Sequence, residues 1–195
     1  MGGRDAMTVD AHSYLASFEI LCDDFRRTTE YIEPTDDNLR TFSHRLYELL
    51  LRACTDFESI CKEELVSAGY AKPPHTMNIN DYKTLEAKFT LEQQYIGVLI
   101  WRPVPAYIQP FLDWSTASPP LAWYGAYNEV KHNRNLRFAY ANLDNVRHAL
   151  AGLFAILVSL KVIHENQFGF QERDAPNGFR EKVYPRQIFS WAWPK

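Results

Sequence analysis

The sequence predicts a mainly α protein: an up-and-down helical bundle with a small extended or β-hairpin insertion and an aromatic C-terminal tail. Three observations carry this. Between about Asp37 and Val66, apolar residues recur at Phe42, Leu46, Leu49, Leu50, Ala53, Phe57, Ile60 and Cys61, the three-and-four spacing of a helix with one buried face. From near Asn142 a second stripe runs through Val146, Ala149, Leu150, Leu153, Leu157, Leu160 and Ile163. Between them, "QYIGVLIWRPVPAYIQPF" is rich in β-branched and aromatic residues. Pro103 and Pro105 bar it from the middle of a sheet, which places a hairpin or two extended pieces at the bundle edge.

The remaining elements follow in order. A first helix, about Thr8 to Glu30, carries Leu15, Phe18, Cys22 and Phe25 on one face and is broken by "EPTDD". Arg45, Arg52, Asp56 and Glu63 edge the stripe of the second helix, where Arg52 and Asp56 stand in pairing register. "GYAKPPH" ends that helix, and a short helix is expected over Asp81 to Phe89. Ser118 and Pro119 supply an N-cap and a first helical position for a helix reaching about Arg137, after which "NLRFAYAN" reads as a bend. His164 lies on the apolar face of the last helix. The tail, about 168–195, holds Tyr184, Phe189, Trp191 and Trp193 and is too aromatic to be disordered. It is expected to fold back over the bundle and the insertion at about 92–110. Residues 1–195 read as one domain.

Composition narrows the function. The net charge is −3, from 21 basic and 24 acidic residues, so a polyanion would have to be held by a local cluster. Cys54 and Cys61 lie seven residues apart on a helix, a rise of roughly 10 Å that a disulfide does not span. The odd count of three cysteines points to a reducing, cytoplasmic setting. "MGGRDAMTVDAH" lacks an apolar signal core, and the most apolar run, Ala149 to Leu160, is too short for a bilayer. No membrane partner, metal or cofactor is expected. Glu129 and His132 have a di-iron spacing without the second copy such a site needs, and no phosphate loop or zinc signature is present.

The informative stretch is "WYGAYNEVKHNR", Trp123 to Arg134. Projected as a helix, it sets Trp123, Tyr127, Val130 and Arg134 along one side and Leu121, Gly125, Asn128 and His132 along the other, with Lys131 and Tyr124 between. Only Glu129 and Asn133 look freely solvated. Asn128 and His132 are one turn apart, so the amide can orient the imidazole. His132 can then serve as a base, with Lys131 and Arg134 steadying a phosphate. The same groups can equally tie helices together.

The pattern "W-Y-x-A-Y-N-x-V-K-H-x-R", the following "F-A-Y-A-N-L-D-N-V-R-H-A-L-A-G-L-F" and the upstream "HRLYELLLRACTDFESICKEEL" resemble the HEPN (higher-eukaryote and prokaryote nucleotide-binding) superfamily of helical proteins. The resemblance covers about half the chain. It implies a cytoplasmic bacterial protein, often a homodimer, that binds RNA or a nucleotide phosphate. Many members are metal-independent endoribonucleases of defence or toxin–antitoxin systems. Active members place a histidine a few residues after an arginine; this chain has the reverse order, Lys131–His132–x–Arg134. On this reading His132 and Arg134 are the catalytic candidates, with Asn128, Lys131, Tyr127, Arg45 and Arg52 as substrate contacts. Arg45, Arg52 or a second copy would complete the site. The alternative is a non-enzymatic module that uses the same helices to dimerise or to bind a protein partner.

Overall fold

The computed structural model describes residues 10–112, 114, 116, 121–163, 171–183 and 188–194. The four long helices are α1 (Ala11–Thr28), α2 (His44–Ser67), α5 (Ala122–His132) and α7 (Leu143–Ser159). Two short helices, α3 (Ile79–Tyr82) and α4 (Glu86–Phe89), lead into the strands. A four-residue helix, α6 (Arg134–Arg137), follows α5. Helices α2 and α7 pack against each other, and both α1 and α5 touch the pair. The start sites obey simple chemistry. Asp10, Ser43 and Asn142 each accept a backbone N–H of the first turn of α1, α2 and α7, satisfying donors that a helix start leaves open.

The expectation of a mainly α bundle with only a small hairpin is overturned by a five-stranded antiparallel sheet. Its strands are β1 (Tyr95–Val98), β2 (Ala106–Ile108), β3 (Gln171–Asp174), β4 (Phe179–Val183) and β5 (Phe189–Pro194), in the order β2-β1-β5-β4-β3. The tail is thus three strands, and β5 pairs with β1 so that insertion and tail are one sheet. The physical reason is a period of two. "FSWAW" alternates large and small side chains, which suits a strand with one covered face; aromatic content alone conceals that alternation. Pro103 and Pro105 lie in the β1–β2 connection, and β2 is an edge strand, where proline nearby costs no ladder bond.

Strand alternation divides the sheet. Ile96, Val98 and Phe189 enter the shared core, and the Phe189 ring meets Phe18 of α1 and Phe154 of α7 at 6.2 and 5.8 Å. On the other face Glu181 is fully buried. Its carboxylate accepts from Arg173 Nε at 2.7 Å, from Tyr107 Oη at 3.2 Å and from Ser190 Oγ. A buried carboxylate needs this many donors, because an unpaired one would cost several kcal/mol. Gly97 of β1 passes beside the cluster. A Cβ there would stand 2.9 Å from Tyr107 Cε1 and closer still to Ser190 Oγ.

Three neighbouring expectations need comment. Arg52 does not pair with Asp56: Arg52 reaches Asp24 of α1 at 2.8 Å, and Asp56 accepts from Ser17 at 2.6 Å, so both join α2 to α1. The proposed cap Ser118, together with Pro119, His164, Phe168 and Tyr184, lies outside the described residues. The cysteines are free and buried, and no described helix is long and apolar enough to cross a membrane.

Gly97→Ala should lower stability by about 2 kcal/mol or more, because the added methyl overpacks a rigid cluster. Gly125→Ala in α5 should raise it by about 0.5–1 kcal/mol, since nothing lies within 4 Å of that Cβ and alanine is the better helix former. Urea midpoints of both variants against the parent check the pair.

Candidate functional site

Helix α5 is anchored by its aromatic side. Phe57 of α2 meets Trp123 and Tyr124 edge-on at 5.3 and 6.4 Å. Trp123 Nε1 donates to the Pro110 carbonyl at 2.8 Å, and Tyr124 Oη donates to Glu58 of α2 at 2.5 Å. Glu58 also faces Lys62 at 3.8 Å. Burial, followed by the Glu58 bond, pushes the Tyr124 phenol well above the ordinary value of 10.0. Tyr127 is buried too, and its hydroxyl accepts from Lys131 Nζ at 2.7 Å. That bond is the main reason the ammonium is held above its ordinary range. The seam between α2 and α5 is therefore built of tyrosines, one carboxylate and two lysines.

The cationic end differs from the helix projection in one respect. Lys131, His132 and Arg134 are exposed, not covered on two sides. The helix stops at His132 because Asn133, at φ −132° and ψ 43°, leaves the helical region. The chain then turns and restarts as α6, and this turn swings Arg134 onto α2. Its guanidinium lies 4.7 Å from the Tyr47 ring centre and 5.7 Å from that of Phe138, and its Nη2 is 3.1 Å from His44 Nδ1. Guanidinium only donates, so His44 Nδ1 accepts and its Nε2 carries the hydrogen. Phe138 in turn meets His44 at 4.8 Å and Phe42 at 5.8 Å, while Arg137 lies over Tyr140 at 5.8 Å.

The sequence candidates are thus distributed as follows. Lys131 and Tyr127 are in contact. Asn128 is half-buried and makes no side-chain hydrogen bond to His132 among the described residues. His132 has no hydrogen bond or ion pair among the described residues. Arg45 pairs with Glu48 at 2.9 Å and Arg52 with Asp24, so neither guanidinium is engaged with His132. Arg134 is joined to a histidine, but to His44 rather than His132. His44, Tyr47, Phe138 and Phe42 are the residues that sequence reasoning missed. The signal was weak: "TFSH" reads as a helix start, and nothing local shows that Arg134 returns to it.

This end can do two things chemically. A guanidinium held against two rings, with its surroundings open, presents donors to a phosphate. Phe42 and Tyr140, 49% and 42% exposed, offer flat faces beside it. Among the described residues no group of three His, Cys, Asp or Glu is placed to hold a metal ion. Comparison of the chain with protein-family models, curated proteins and solved structures gives no match, so the HEPN-like resemblance rests on the motifs alone.

Tyr124→Phe should cost about 2 kcal/mol at neutral pH, the range for a hydrogen bond to a charged group. The pH dependence follows from the raised phenol. A raised group keeps its stabilising contribution below its unfolded value and loses it as pH rises. Stability of the parent should therefore fall above about pH 10, and the phenylalanine variant should fall less steeply. Denaturant melts from neutral to alkaline pH measure both effects.

Proposed function

We propose that the chain binds single-stranded RNA, or the phosphate of a nucleotide, at the exposed end where α2 begins and α5 stops. The observation that carries this is Arg134, fixed over Tyr47 and against His44 while its surroundings remain open to solvent. Stacked bases and phosphate-facing cations are how proteins hold single strands, at about 1–3 kcal/mol per stacked base. The overall charge of −3 would repel a polyanion, so binding depends on this patch rather than on a diffuse field. The HEPN-like resemblance points to the same class of ligand and to a bacterial defence or toxin–antitoxin setting in the cytoplasm. Strand cleavage would use His132 as base with Arg134 on the phosphate, and it is followed in the same assay.

Fluorescence anisotropy of a labelled single-stranded RNA, with chelator present, tests the proposal. Binding should weaken with salt. Arg134→Ala should cut affinity about tenfold and lower the log–log salt slope by about 0.7, the share of one phosphate on a single strand. Tyr47→Leu should weaken binding without changing the slope. Cleavage that survives chelator and is lost in His132→Ala would add catalysis. Absence of binding by the parent, or a variant slope equal to the parent's, would overturn the reading.

A second reading is favoured by one observation. Leu136 of α6 is 84% exposed, and Phe42 and Tyr140 are 49% and 42% exposed, which suits a protein partner or a second copy. If the patch joins two copies, Leu136→Asp should convert a dimer into a monomer by light scattering.

A further inference from the structure

A groove of about 1100 Å³ opens between the end of α7, the segment around α4 and the helix-facing side of β4 and β5. It is remote in sequence from the Arg134 end and shares no residue with it. Trp191 and Trp193 of β5 form one wall, with ring centres 6.5 Å apart. Lys88, Lys161 and Lys182 stand around it. Lys182 lies 6.0 Å from the Trp191 ring centre and 3.9 Å from Glu172, and Lys88 pairs with Glu64.

Two details of the groove are not explained by folding. Gln94 lines it and is only 7% exposed. Its Nε2 donates to the Phe89 carbonyl at 2.9 Å and to Ser159 Oγ at 3.0 Å, but Oε1 has no partner among the described residues. A buried acceptor without a donor is uncommon and costly. Lys161 is the second. Its N–H reaches the Val158 carbonyl and the Val162 N–H reaches Leu157, the bond pair that closes a helix through a left-handed residue. Glycine suits that residue, yet lysine holds it at φ 58°. It makes no ion pair among the described residues.

We infer that this groove binds a small planar aromatic anion. The ring lies against the tryptophans, and the anionic group sits by Lys161 and Lys182. A carboxylate and a phosphate would both serve as that group. The site is independent of the proposed RNA-binding end.

Isothermal titration calorimetry of the full chain tests it with four probes. Adenosine 5′-monophosphate and 2-aminobenzoate carry ring and anion; adenosine lacks the anion and inorganic phosphate lacks the ring. At least one of the first two should bind with micromolar affinity, and that probe should exceed both incomplete ones by about tenfold. Lys161→Gly, which relieves the backbone while removing the charge, should weaken it about fivefold, and Trp193→Leu about tenfold. Thermal midpoints separate lost folding from lost binding, and that of Lys161→Gly is expected to match or exceed the parent's. No heat with either complete probe, or binding untouched by Lys161→Gly, would overturn the assignment.

Discussion

The contact on which the exposed end depends is partly buried: Tyr124 Oη to Glu58, with Phe57 edge-on to Trp123 and Tyr124. It fixes the rotation of α5 against α2. Only at that rotation does the turn at Asn133 deliver Arg134 to Tyr47 and His44. Ring pairs of this kind contribute about 0.5–1.5 kcal/mol each beyond burial, and the bond to a carboxylate about 1.5–3. The exposed ion pair Arg45–Glu48 contributes about 0–1 kcal/mol. The seam, not the surface charge, therefore sets the geometry of the patch.

A second constraint is the pairing of β1 with β5. It carries Phe189 to Phe18 and Phe154, and so joins the C-terminal strands to the first and last long helices. Helices α1 and α2 were legible in the sequence because each buries one face at a period of about 3.6, and α7 because its long apolar run is buried on all sides. The sheet was not. Its strands are three to six residues long, too short for a firm alternation. In β4, "FREKV" reads as polar surface although Glu181 is buried by Arg173, Tyr107 and Ser190. A carboxylate buried by partners from three other strands leaves no local trace.

The site was legible in part. "WYGAYNEVKHNR" combines a packed aromatic side with a cationic end, whereas the Lys131–Tyr127 contact was not foreseen. The helical projection failed past His132 because it assumes a continuous helix, and Asn133 breaks it. Arg134, past the break, therefore points elsewhere than the projection says. Asparagine at the end of a cationic last turn was the available clue, since Lys and His suit a helix C-terminus. The partner residue, His44, lies 90 positions away and could not be found from spacing.

The central proposal is that single-stranded RNA binds at the exposed end where α2 begins and α5 stops. Backbone amide shifts of the isotope-labelled chain, followed by nuclear magnetic resonance while a short single-stranded RNA is added, test this directly. The account predicts that the largest changes fall on residues 42–47 and 131–140. Changes confined to the groove beside Trp191 and Trp193, or none at saturating RNA, would contradict it.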